Sequence, residues 1–197
     1  MGGLYVFDWS GVFNMKRLTS MIRICLIISC LGGISTLTTP TAFAAPAASE
    51  QTLTAAFLYN FMKFTEWPQG IVTDHITLCS TKSLPFEELD AINGRSAQSK
   101  PVRIKRTSLN EPLDDCQLLF LPREENVEQV RQWLKITGNQ PILIVSNING
   151  FLDMGGMVSL INDGKNLNFE VNLEKVKHVG LKLNAQLLQI ARDVRGR

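Results

Sequence analysis

The side chains able to do chemistry are few and scattered. His75 precedes a strand-like run and His178 falls near a helix end, where positive charge is favoured, so each reads as a surface or capping residue. No third ligand stands near either in sequence, which argues against zinc. Asp114-Asp115 is a paired carboxylate at a strand entrance beside Cys116, but nothing supplies the second acid or base that hydrolysis would need. Gly155-Gly156 could cradle an anion through backbone amides, although a tight turn leading into a hairpin is the commoner use of such a pair. Glu170 is the most informative acid. It projects from the polar side of a strand otherwise lined by Asn and Ser, either as a charge placed to meet a partner or ligand or as part of a solvated sheet face. The sequence has no G-x-S-x-G, P-loop, G-x-G-x-x-G or H-E-x-x-H motif. The chemistry expected is therefore binding, with no catalytic residue, metal or cofactor.

A hairpin positions Glu170. Two strand-forming runs flank Asp163-Gly164, a dipeptide suited to the positive φ of a type I′ turn. Counting outward, Asn162 faces Lys165, Leu160 faces Leu167 and Val158 faces Phe169, so these last four share an apolar face with Val171. The opposite face carries Ser159, Asn166, Asn168, Glu170 and Asn172. The apolar face needs cover, and two helices follow to supply it. Asn172 caps the first, which stops at Gly180; the second runs from about Asn184, with Leu187, Leu188, Ala191 and Val194 on one side.

Upstream, helix and strand patterns alternate. Between Gln51 and Glu66, Leu53, Ala56, Phe57, Phe61 and Phe64 recur at helical spacing while Leu58, Tyr59 and Met62 form a second flank, which predicts a sandwiched helix. Pro68 ends it near Trp67, read as a core aromatic closing the end of the sheet. Strands are expected at Ile76–Cys79, Val102–Arg106, Gln117–Leu121 and Ile142–Val145, with a short helix at Pro85–Ile92. A longer helix begins after Glu124 and Glu125, buries Val127, Val130 and Leu134, and ends at Gly138. The sum is a single-domain α/β sandwich: a central mixed β-sheet with a C-terminal antiparallel hairpin and helices on both faces.

The first 44 residues read as an export signal. Lys16, Arg17 and Arg23 precede an apolar run from Ile24 to Leu31, too short to span a membrane, and Ala42-Phe43-Ala44 offers cleavage before Ala45. Met1 to Asn14 carry no positive charge, so translation is expected to begin at Met15 or Met21. The domain proper is then 45–197. Cleavage removes three basic residues and one acidic one, cancelling the formal charge of +2. Without a basic field, nucleic-acid binding loses its electrostatic footprint. Cys25 and Cys30 leave with the signal, and Cys79 and Cys116 remain in an oxidising compartment, where a disulfide is the default. In neighbouring parallel strands the two would lie several residues apart, so either the strands are staggered or the boundaries shift.

Three strings in the C-terminal block resemble the signature of the YfiR family: Gly150-Phe151 with Gly155-Gly156-Met157, the Phe169-Glu170-Val171-Asn172 strand, and Gly180-Leu181 through Leu187, Leu188 and Ala191. A second match lies upstream, in Ala55-Ala56-Phe57-Leu58-Tyr59-Asn60-Phe61 and Glu66-Trp67-Pro68. The resemblance implies a disulfide between Cys79 and Cys116 and a periplasmic protein that represses an inner-membrane diguanylate cyclase through its periplasmic sensor region. It also implies an OmpA-like outer-membrane lipoprotein that sequesters the regulator; a homodimer is a candidate assembly. Ser159, Asn168, Glu170 and Asn172 are the expected partner-binding residues. The family's later cysteine pair is missing here, so redox tuning through it cannot operate. The rival reading is a periplasmic small-ligand-binding protein or an unrecognised enzyme, with a pocket near the strand ends or the Gly-rich turn.

Overall fold

The chain runs α1 (Glu50–Phe64), β1 (Thr65–Glu66), β2 (Ile76–Thr81), α2 (Glu87–Asp90), β3 (Ser96–Ala97), β4 (Lys100–Thr107) and β5 (Leu118–Leu121). It continues through α3 (Val127–Thr137), β6 (Leu143–Ser146), β7 (Val158–Asn162), β8 (Leu167–Asn172), α4 (Leu173–His178), β9 (Lys182–Leu183), α5 (Ala185–Gln189) and β10 (Asp193–Arg195). The computed structural model describes residues 48–81 and 87–196; the expected export signal and its cleavage site at Ala44/Ala45 lie outside them. Among the described residues no helix is long and apolar enough to cross a membrane.

Eight strands form one mixed sheet in the order β10-β8-β7-β6-β5-β2-β4-β3. The five central strands, β4-β2-β5-β6-β7, are parallel, and β8 turns back antiparallel to β7. Every residue of β2, β5 and β6 is buried, the hydroxyl side chains Thr77, Ser80 and Ser146 included, because both faces are covered.

Helix α1 begins where the Ser49 hydroxyl accepts the Thr52 amide at 3.1 Å. It buries Ala55, Leu58, Phe61 and Met62, and each large apolar side chain so removed from water contributes roughly 1.5–3 kcal/mol. The Gln98 amide donates to the carbonyls of Met62 (2.6 Å) and Thr65 (2.7 Å), satisfying acceptors that the helix end would otherwise leave open. In α3 the buried residues are Val130, Trp133 and Thr137; Trp133 takes the core position expected of Val127, which is exposed.

The disulfide is present, with Cys79 and Cys116 Cα atoms 5.8 Å apart. Strand register sets Cys79 opposite Leu119, so the strand line alone would not bring Cys116 to it. A turn closed by the Cys116 amide on the Leu113 carbonyl (2.8 Å) lets Cys116 depart from that line.

Two expectations are corrected. The hairpin pairs Leu160 with Phe169, Val158 with Val171 and Asn162 with Leu167, two residues away from the register expected above. The turn is centred on Gly164-Lys165, since the Asp163 carboxylate accepts the amides of Lys165 (3.0 Å) and Asn166 (2.7 Å) and Gly164 has φ 84°. An even shift leaves each residue on its expected face. The second C-terminal helix is also shorter than expected. It stops at Gln189, and Val194 lies in β10, a parallel edge strand on β8 that satisfies that strand's open backbone groups. Cover for the hairpin's apolar face comes from α1: the Phe169 ring meets Phe61 at 5.1 Å and Phe57 at 5.7 Å, both edge-on.

Candidate functional site

The two motif-bearing stretches meet in space. Thr65 and Glu66 pair with Leu183 and Lys182 in a two-stranded ribbon, and the Asn184 amide donates to the Phe64 carbonyl at 2.9 Å. Trp67 is partly buried, and its indole N–H donates to the Gln117 carbonyl at 3.1 Å, closing that end of the sheet as expected. Pro68 lies against Gly180, where an added Cβ would come within 3.3 Å of the Pro68 ring. The α4 helix ends with the Gly180 amide on the Lys177 carbonyl (3.0 Å) and the Leu181 amide on the Val176 carbonyl (3.2 Å), the paired bonds of a Schellman motif. Leu181 and Leu187 are buried and Leu188 half-buried, so this string is scaffold.

The hairpin's polar face is more than a solvated surface. Ser159 pairs with Glu170 across the strands, and together with Gly150, Phe151, Asp153, Ile161 and Arg195 they line a cleft of ≈ 170 Å³. The Glu170 side chain is only 18% exposed and faces two guanidinium groups, Arg192 and Arg195, each at 3.8 Å. Arg195 also reaches Asp153 at 2.5 Å and Asp193 at 3.6 Å. The hydrogen bond to Asp153 first, and then the charges of Glu170 and Asp193, hold the Arg195 guanidinium above its ordinary pKa. The cleft thus carries alternating charges around a half-buried carboxylate.

Gly155-Gly156 serves packing and not anion binding. Their amides are spent on the Leu152 and Phe151 carbonyls, each at 3.0 Å. A Cβ on Gly156 would sit 2.2 Å from the buried Phe151 ring, so only glycine fits there. Of the four expected binding residues, Ser159 and Glu170 line the cleft. Asn168 instead reaches back to Asp163 at 3.4 Å, and the Asn172 side chain is taken by its cap on the Lys175 amide at 3.2 Å. Arg192, Arg195 and Asp153 were missed. The alternation Asp193-Val194-Arg195 is a strand pattern, but three residues are too few to outweigh a helical continuation.

Among the described residues no cluster of His, Cys, Asp or Glu could hold a metal. His178 lies 3.4 Å from Asn139 at the surface, and Asp115, exposed beside Asp114, meets Lys105 at 3.7 Å. No curated protein matches the chain. A family model does, over residues 51–192, which takes in nearly all of α1, the disulfide, the hairpin and Glu170, but not Arg195. The chain belongs to the YfiR/HmsC-like family, whose members are periplasmic regulators of diguanylate cyclases.

Proposed function

We propose that this protein represses an inner-membrane diguanylate cyclase by binding the enzyme's periplasmic sensor region, lowering cyclic di-GMP and biofilm formation, and that an OmpA-like outer-membrane lipoprotein relieves repression by sequestering it. The observation that carries this reading is the family match across residues 51–192. The Glu170 cleft supports a place for the contact, because core packing alone does not require a half-buried carboxylate between two arginines. Repression requires the regulator to prefer the inactive form of its target. A preference of about 5.5 kcal/mol would move a population from one extreme to the other, well within the reach of one protein interface.

Glu170→Gln tests the reading. It removes the charge and keeps the shape. The expected result is a folded protein with weakened binding to the isolated cyclase sensor region and raised cellular cyclic di-GMP. A stable variant that binds and represses normally would place the surface elsewhere.

A further inference from the structure

Two asparagines in the chain are followed by glycine, Asn93 and Asn149. Such a pair is chemically labile, because glycine carries no Cβ to keep its own amide nitrogen from reaching the preceding side-chain carbonyl. Both pairs are exposed, so access to water does not separate them. Hydrogen bonding does. The Gly94 amide donates to the Val102 carbonyl at 2.8 Å and the Asn93 side-chain oxygen accepts the Ile104 amide at 3.2 Å, which ties both reacting groups to β4. At Asn149 neither group is tied. Among the described residues nothing bonds to the Asn149 side chain, and the peptide group joining Asn149 to Gly150 neither donates nor accepts. The bonds that do hold Gly150 go to its carbonyl, from the amides of Asp153 (3.0 Å) and Met154 (3.2 Å), and so belong to the next peptide group. The turn around the pair is closed by one long bond, from the Phe151 amide to the Ile148 carbonyl at 3.3 Å, and Gly150, at φ 73°, tolerates a wide range of backbone angles.

We propose that Asn149 is a self-modifying site, which deamidates through the Gly150 amide and adds a carboxylate to the Glu170 cleft. The Gly150 nitrogen attacks Cγ of Asn149. An N–Cγ bond forms as the amide proton passes to solvent, and the Cγ–Nδ2 bond breaks to release ammonia. Water then opens the resulting succinimide ring. Addition at Cγ gives aspartate and addition at the main-chain carbonyl carbon gives isoaspartate; the sum is amide plus water to acid plus ammonia, with nothing oxidised or reduced. Asn149 lines the cleft together with Asp153, Glu170 and Arg195, so either product turns a neutral wall residue into a third carboxylate of the lining. The charge that the cleft offers a partner then changes with the age of the molecule. That consequence rests on the repressor reading; the reaction itself does not.

The test is to age the folded, oxidised protein in mildly alkaline buffer and to follow each asparagine by proteolysis and tandem mass spectrometry. Two hydrogen bonds must break before Asn93 reacts and none before Asn149, so Asn149 should be faster by roughly tenfold or more, giving aspartate and isoaspartate together. In urea, where both pairs are unfolded, the two rates should converge. Equal rates in the folded protein, a faster Asn93, or aspartate formed without isoaspartate would overturn the proposal. Asn149→Asp carries the charge of the product and should change the affinity for the isolated cyclase sensor region severalfold, whereas Asn93→Asp should not. If Glu170→Gln weakens binding and Asn149→Asp leaves it untouched, the consequence for the cleft is refuted and the repressor reading stands. If neither substitution matters, the repressor surface lies elsewhere, and the mass-spectrometric result decides the chemistry by itself.

Discussion

Phe169→Ala should be among the most damaging substitutions in the domain. The ring is 1% exposed, pairs with Leu160 across the hairpin, and meets Phe61 and Phe57 in edge-on contacts at 5.1 and 5.7 Å. Truncating a buried Phe costs about 3–5 kcal/mol when the surroundings cannot collapse, and edge-on aromatic pairs add about 0.5–1.5 kcal/mol each. The pairs overlap with the burial term, so the expected loss is about 4–5 kcal/mol, a third or more of the stability typical of a domain. Urea unfolding of the oxidised protein would read this as a midpoint lowered by roughly 1.3–5 M at ordinary slopes of about 1–3 kcal/mol/M. Asn168→Ala, on the other face of the same strand, should stay within about 0.5 kcal/mol. A double-mutant cycle of Phe57→Ala with Phe169→Ala should show a coupling of about 0.5–1.5 kcal/mol. Losses below about 1 kcal/mol for Phe169→Ala, or equal losses at both faces, would refute the facing of the hairpin. A cycle without coupling would refute its cover by α1.

Replacing both Cys79 and Cys116 by Ala should cost about 4 kcal/mol in the chain-entropy account for a separation of 37 residues, checked by unfolding with and without reductant. A reduced wild type as stable as the oxidised one would contradict it. Gly156→Ala should destabilise by about 1–3 kcal/mol, because an added Cβ would lie 2.2 Å from the buried Phe151 ring, which must shift to admit it, and calorimetric melting would show it. The amides of Asn166 and Lys165 hold the Asp163 carboxyl below its ordinary pKa. The hairpin turn therefore gains from Asp163 above the ordinary aspartate value of about 3.9 and loses that gain as pH falls through the lower folded value. Amide chemical shifts of Lys165 and Asn166 should titrate with a midpoint below that value; one at or above it would contradict the turn geometry.

Local pattern sufficed for the extent of α1, with Pro68 marking its exit, and for β2, β5 and β6, whereas Leu53 and Ala56 on the expected flank of α1 are exposed. It also sufficed for the faces of the hairpin, since side-chain alternation survives any even shift in register. Register itself was decided by three-dimensional hydrogen bonding, when Asp163 took the two following amides and moved the turn by one residue. Glu170 was legible as a charge on a polar strand. Its guanidinium partners were not, because Arg192 and Arg195 reach it only once β10 closes the open edge of β8, a non-local pairing with no counterpart in helical or strand periodicity.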